Sequence, residues 1–239
     1  MKIGKVTKAV RKVLPLGRCG AVIVAAGTAS RMGGIDKVMA PLGGEPMLVR
    51  TVRVFENCEA VKDIVVVTRE DLVESVTELC KGFGKVRAVV KGGTSRQESV
   101  QAGIAALPKN VHLAAIHDGA RPLITEAVID RTVRAAHTYA AAAPAVPVKD
   151  TIKVAKGGLV AATPDRSKLR AVQTPQVFDR DLLCGALEKA KQDSAEITDD
   201  CSAVERLGMR VKLVEGDERN IKVTTPMDLK IAQMLLEEL

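Results

Sequence analysis

Apolar runs alternating with helix-length amphipathic segments predict a doubly wound α/β fold with a mostly parallel sheet. Two further observations agree. Aromatic residues make up only 2% of the 239 residues, with no Trp, so the core must be assembled from Ala, Val, Leu and Ile. That composition suits buried parallel strands covered by helices on both faces. Polar segments rich in glycine also follow three of the apolar runs, where open α/β sheets bind their ligands.

The elements follow in order. The run Ala21 to Ala25 opens the sheet and leads into a glycine-bearing stretch, Gly27 to Gly34. A helix is expected from Pro46, well placed at a first helical position, to about Asn57. Ile64 to Val67 is the second strand. A helix from near Glu70 should close at the Gly82/Gly84 pair. Val86 to Val90 is the third strand, followed by a helix from about Arg96 to Leu107. Leu113 to Ile116 is the fourth, followed by a helix from about Thr125 to Tyr139.

After Ala140 the rhythm changes. Residues 144–178 carry four prolines and short β-like pieces such as Thr151 to Val154, with a Gly157-Gly158 turn. A projecting antiparallel arm at about 144–174 is the reading. Helices resume at about Asp179 to Lys191 and Asp199 to Leu207, the second closed by Gly208. A strand from Arg210 to Val214 precedes a last helix, which Thr225, Pro226 and Asp228 start in capping-box spacing. No repeat or low-complexity linker divides the chain, so residues 19–239 read as one domain after a basic N-terminal extension, 1–18.

Net charge is +7, but six basic residues and no acid fall within the first 20 positions; without them the remainder carries +1. A nearly neutral body with almost no aromatic platforms argues against nucleic acid as a partner. The basic extension interrupts its apolar residues too often for a secretory signal. No apolar stretch reaches the roughly 20 residues needed to span a bilayer, so no membrane is expected. Five cysteines show no metal-ligand spacing, which fits reduced thiols and a cytoplasmic location.

Three polar segments should converge beyond the strand ends. In residues 25–37, small residues allow backbone N–H groups close to a phosphate chain, with Arg31 and Lys37 adding two charges. The segment is neither a P-loop nor a dinucleotide fingerprint, and a tight strand-to-helix turn with solvated cations is the plainer alternative. Residues 92–99 pair two glycines with hydroxyls at a helix start, suited to a base and ribose, or simply to capping by Thr94 or Ser95. Residues 117–122 place Asp118 at a strand's end, suited to holding Mg²⁺ against a triphosphate. His117, beside it, reads as a packed residue. Near the C-terminus Lys222 is a third candidate cation and Asn220 a neutral oxygen ligand; an alternating surface strand is the alternative for both.

Together these pieces resemble the 2-C-methyl-D-erythritol 4-phosphate cytidylyltransferase family of the non-mevalonate isoprenoid pathway. The similarity runs from about Ala21 to Leu236. It rests on Ala25-Ala26-Gly27, Arg31-Met32, Gly92-Gly93 with Arg96 and Ser99, and His117-Asp118 with Ala120-Arg121-Pro122. Pro147 to Thr151, Gln173 to Gln176, Ile197-Thr198-Asp199, Val214-Glu215-Gly216 and Asn220 to Thr224 complete it.

The resemblance implies a Rossmann-like nucleotidyltransferase fold, similar to glycosyltransferase-A folds. It implies Arg31, Lys37 and Lys222 as catalytic cations at the α-phosphate of CTP. Ala25, Ala26, Gly27, Gly93, Thr94, Ser99 and Asp118 are implied for the nucleotide, with Asp118 and Asn220 at Mg²⁺. Arg121, Thr151, Arg166 and Thr198 are implied for the phosphorylated polyol acceptor, some acting across a homodimer interface that the arm builds. The sequence departs from the family's usual residues at Ala29, Asp36, Val38, Thr94 and Gly119. Gly119 also resembles relatives that act on ribitol 5-phosphate.

The implied reaction is attack by a substrate phosphate oxygen on the α-phosphorus of CTP, releasing pyrophosphate. A phosphate monoester is already anionic at neutral pH, so no activated side-chain nucleophile is required. The rival readings are ribitol 5-phosphate as acceptor, a different nucleotide, and a nucleotide-binding regulatory module without catalysis.

Overall fold

A computed structural model describes residues 17–27 and 38–238. The central sheet has eight strands. Its parallel part comprises β1 (Cys19–Val24), β4 (Val61–Thr68), β5 (Val86–Lys91) and β6 (Leu113–Asp118), in the order β5-β4-β1-β6. The first crossovers run outward from β1, and β6 returns to its other side, so the switch point lies between β1 and β6. There Val24 stands opposite Asp118. Short hairpin strands β2 (Pro41–Leu42) and β3 (Glu45–Pro46) lie apart, turning through Gly43 and Gly44 at positive φ.

Alternation along β1 sorts the core into two layers. Cys19, Ala21 and Ile23 pack with α1 (Met47–Asn57), α2 (Val73–Cys80) and α4 (Glu126–Tyr139). Val22 packs on the other face with α3 (Arg96–Ala106), α5 (Arg180–Gln192) and α6 (Asp200–Arg206). Gly103 lets α3 lie close on the sheet: a β-carbon there would stand 2.2 Å from Val22 Cγ1 and 2.8 Å from Val67 Cγ2. Gly103→Ala is therefore expected to cost about 1–3 kcal/mol by overpacking, read as a lower urea midpoint.

The second half is mixed rather than parallel. β7 (Ala141–Pro147) takes β12 (Lys212–Glu215) in parallel, and pairs antiparallel with β11 (Gln176–Asp179) and β10 (Arg170–Val172) along successive stretches. β11 also pairs antiparallel with β6, joining the two halves. β11 was not among the expected strands, and β7 puts residues 144–147 into the sheet, so the arm is shorter than 144–174. What projects is a hairpin of β8 (Val154–Lys156) and β9 (Leu159–Ala162). Gly157 and Gly158, both at positive φ, make the two-residue turn that the sequence indicated.

Other boundaries move slightly. A single 3-10 turn, Glu70–Leu72, precedes α2, which ends at Cys80 before the glycine pair. Strand β8 begins at Val154 instead of Thr151: its ladder with β9 starts with Val154 opposite Ala162, and residues 151–153 lie outside it. The last helix, α7 (Pro226–Glu237), starts in a full capping box of Thr225 and Asp228, as its spacing indicated. The folded body also reaches back past the expected boundary at residue 18. Arg18 Nε and Nη2 bind the buried Asp63 carboxylate at 2.6 and 2.8 Å, and Arg87 Nε adds a third bond at 2.8 Å. Those bonds, Arg18's first, hold the Asp63 carboxyl below its ordinary range despite its burial. Residues 1–16 of the basic extension lie outside the described residues.

Candidate active site

A cleft of about 520 Å³ opens at the switch point. Ala25, Ala26 and Gly27 form one wall as the chain leaves β1, and Gly92 to Arg96, with Ser99, form another. The walls meet closely because Gly92 has no side chain: a β-carbon there would stand 2.5 Å from Ala26 Cβ. Asp118, Ala120 and Lys222 complete the inner end, with Arg69, Glu70 and Lys91 at the rim. The fold thus gathers Ala25, Ala26, Gly27, Gly93, Thr94, Ser99, Asp118 and Lys222 from four chain segments. Arg31 and Lys37 lie outside the described residues.

Asp118 is the electrostatic centre. Its carboxylate lies 2.8 Å from Lys222 Nζ, 3.7 Å from Arg96 Nη2 and 3.8 Å from Arg121 Nε. Burial works to raise its pKa, but Lys222 and Arg96, then Arg121, overcome it and hold the group at about 2. Asp118 is therefore ionised throughout the neutral range. A cluster of three cations on one carboxylate keeps surplus positive charge at the inner end of the cleft, which suits an anionic ligand.

Arg96 is itself fixed from behind. Its guanidinium binds the wholly buried Asp200 at 2.8 Å. Burial opposes the Arg96 charge, and Asp200 more than offsets this, so its pKa lies above the ordinary value. Asp200 and Cys201 in turn donate their backbone N–H groups to Gln176 Oε1 on β11. No local pattern announced this pair, since Arg96 and Asp200 are 104 positions apart.

His117 takes no part in the cleft. Its Nδ1 meets Thr174 Oγ1 at 2.9 Å, its Nε2 meets the Arg121 carbonyl at 3.2 Å, and its ring packs on Phe55. Burial pushes it down to about 4, so it is neutral and structural, as the sequence indicated. Thr174 also accepts a bond from the Asp118 N–H, at 3.1 Å, which ties the carboxylate's backbone to the segment between β10 and β11.

Two expectations change here. Asn220, read as a metal ligand, is wholly buried and does not line the cleft. Its amide donates to the Thr174 carbonyl at 3.0 Å, so it braces the residue that braces Asp118. Arg121, read for the acceptor, is held against Asp118 while its Nη1 donates to the Asn220 carbonyl at 2.7 Å; it does not line the cleft. Burial lowers its pKa, with Asp118 opposing.

Thr198 lines a second cavity of about 250 Å³, which shares Ser95 and Arg96 with the main cleft. Thr151 and Arg166 stand exposed at the base of the arm, where Arg166 Nη1 donates to the Lys149 carbonyl at 2.9 Å. Neither lines the cleft of its own chain. No cluster of three or more His, Cys, Asp or Glu gathers for a metal among the described residues. What the site offers a divalent cation is the one ionised Asp118 oxygen pair amid cations. That donor set fits Mg²⁺ bound with a triphosphate, which keeps waters and takes most oxygens from the substrate.

The model of the 2-C-methyl-D-erythritol 4-phosphate cytidylyltransferase family matches residues 19–238. The chain belongs to this family. Members named 2-C-methyl-D-erythritol 4-phosphate cytidylyltransferase from Caldanaerobacter subterraneus subsp. tengcongensis and Geobacillus kaustophilus are 47% and 48% identical to it. The alignments cover 91% and 90% of this chain, and 98% and 96% of those relatives. The crystal structure of 4-diphosphocytidyl-2C-methyl-D-erythritol synthase from Anaerococcus prevotii superposes with a TM-score of 0.84 at 31% identity, covering 92% of this chain and 96% of that one. Family membership makes the chain a nucleotidyltransferase of CTP-dependent cytidylyl transfer in isoprenoid biosynthesis. The Rossmann-like fold expected from the resemblance is the one found.

Proposed function

We propose that the chain joins CMP from CTP to 2-C-methyl-D-erythritol 4-phosphate in the cleft between Gly93 and Lys222. The observation that carries this assignment is the Asp118 carboxylate ringed by Lys222, Arg96 and Arg121 at the switch point. A phosphate oxygen of the acceptor attacks the α-phosphorus of CTP, and the bond from that phosphorus to the β-phosphate's bridging oxygen breaks. Pyrophosphate leaves with the electron pair, and no side-chain nucleophile intervenes. The difficulty is the approach of two anions, which positive charge and in-line positioning relieve.

Lys222 is assigned to the α-phosphate. Arg31 and Lys37 are assigned to the triphosphate on the resemblance of their segment. Ala25, Ala26, Gly27, Gly93, Thr94 and Ser99 are assigned to ribose and base. Mg²⁺, held by Asp118 once the triphosphate is present, would neutralise charge on the phosphates. Asn220 acts by holding Thr174 in place.

The acceptor phosphate is assigned to the cavity at Thr198, beside Arg96. Arg166 and Thr151 then belong to a second copy of the chain in a homodimer. The exposed apolar residues of the arm support this: Leu159 is 76% and Val160 63% exposed. Burying a leucine is worth about 2 kcal/mol, and a two-fold interface uses it twice. Leu159→Asp is accordingly expected to shift the protein to monomers in sedimentation and to lower turnover with it.

No described helix is long and apolar enough to cross a membrane, and all five cysteines are free thiols, which supports a cytoplasmic protein. The acceptor is tested by ³¹P spectroscopy of the product, with methylerythritol phosphate and ribitol 5-phosphate offered together. A pyrophosphate diester of methylerythritol is expected; a ribitol product alone would move the assignment to polyol phosphates.

A further inference from the structure

Where the loop after β5 enters α3, the Thr94 and Ser99 hydroxyls both commit their protons to the protein. Thr94 Oγ1 lies 2.7 Å from Glu98 Oε2, and Thr94 N–H donates to the same oxygen at 2.8 Å. These bonds, the hydroxyl's first, hold the Glu98 carboxyl below its ordinary range. An ionised carboxylate only accepts, so the Thr94 hydroxyl must be the donor. Its single proton is thereby fixed, and the oxygen offers the cleft only lone pairs. Ser99 repeats the arrangement, donating its proton to the Ser95 carbonyl at 2.9 Å and accepting from Gly93 N–H at 3.2 Å. Gly93 makes the close fold possible, since a β-carbon there would stand 2.2 Å from Glu98 Cβ.

We propose that Glu98 is a positioning residue for nucleotide selection, pinning the Thr94 hydroxyl so that its oxygen accepts from the exocyclic amine of cytosine and meets the keto oxygen of uracil with a lone pair. The inference rests on the placement of the base at this loop. Thr94 lines the cleft whereas Glu98 does not, so Glu98 acts through Thr94. Its position three residues after the helix-capping Ser95 directs it back over the loop. Freed from Glu98, the hydroxyl could rotate and donate to a keto oxygen, and discrimination would fall.

The test compares kcat/KM for CTP and UTP, with methylerythritol phosphate as acceptor, in wild type, Glu98→Ala, Thr94→Val and Thr94→Ser. One neutral hydrogen bond gained or lost corresponds to roughly tenfold. Glu98→Ala is expected to lower the CTP-to-UTP ratio about tenfold, chiefly by raising the UTP value. Thr94→Val should lower the ratio to a similar degree through the CTP value, and Thr94→Ser should keep it. A merely structural role for Glu98 in capping α3 would depress both nucleotides in parallel and leave the ratio intact. That result in Glu98→Ala overturns the inference, and a lowered ratio in Thr94→Val beside it would leave the base placement standing. A wild type that does not prefer CTP overturns the placement and the inference together.

Discussion

Replacing Lys222 by alanine is expected to lower kcat roughly 100- to 1000-fold in a variant that still folds. Lys222 is half-exposed, so its removal leaves no buried void. Its ammonium is 2.8 Å from Asp118 at the inner end of the cleft, where negative charge would build up on the transferring phosphoryl group. Loss of one preorganised charge donor in such a site costs about 2.7–4 kcal/mol of transition-state stabilisation. The loss should fall on kcat more than on the KM for CTP, because the charge matters most as the entering and leaving oxygens share the phosphorus. Steady-state kinetics with thermal unfolding as a control makes the comparison. Near wild-type turnover in a folded variant would remove Lys222 from the reaction.

Arg96→Ala is expected to have the largest effect on stability. It strips the partner from Asp200, a carboxylate with no exposed surface. Breaking a buried pair from one side costs about 3–5 kcal/mol. The pH dependence has a definite sign. Burial raises the folded-state pKa of Asp200 above its ordinary value, and Arg96 opposes that rise. Without Arg96 the folded pKa climbs further. A raised folded pKa gives stability that is present below the unfolded value and is lost as pH rises through the folded one. The deficit against wild type should therefore be smallest near pH 4 and widest at neutral pH, measured by urea unfolding. Adding Asp200→Asn should recover part of the loss at neutral pH, because the uncompensated charge is gone.

The parallel half of the fold was legible because each strand there is a run of small or β-branched residues. Ala21 to Ala25, Ile64 to Val67 and Leu113 to Ile116 signal burial on both faces, and each leads to a helix with its own apolar stripe. The mixed half was harder. β11 is four residues with a polar start, Gln176–Asp179, and its identity depends on finding β6 and β7 as neighbours at long range. β7 runs through Pro144 and ends at Pro147, residues that locally argue against a strand.

The candidate site divides along the same line. Residues that touch the cleft from strand ends and glycine turns, such as Ala26, Gly93 and Asp118, were legible from their place after apolar runs. Residues that act by tertiary pairing were not. Thr174 and Gln176 stood only within a matching motif with no role attached, and Asp200 in none, yet they fix Asp118 and Arg96. Asn220 had a signal of the wrong kind: a polar residue after a strand reads as exposed, and here it is enclosed by Gln173 and Thr174.

Cytidylyl transfer in this cleft is tested by acceptor-dependent release of pyrophosphate. Purified protein is incubated with CTP and Mg²⁺, with and without 2-C-methyl-D-erythritol 4-phosphate, and pyrophosphate is followed against cytidylylated product. One pyrophosphate per product, and none without the acceptor, is the expected result. CTP binding with no pyrophosphate in the presence of the acceptor would mean that the cleft binds the nucleotide without transferring it.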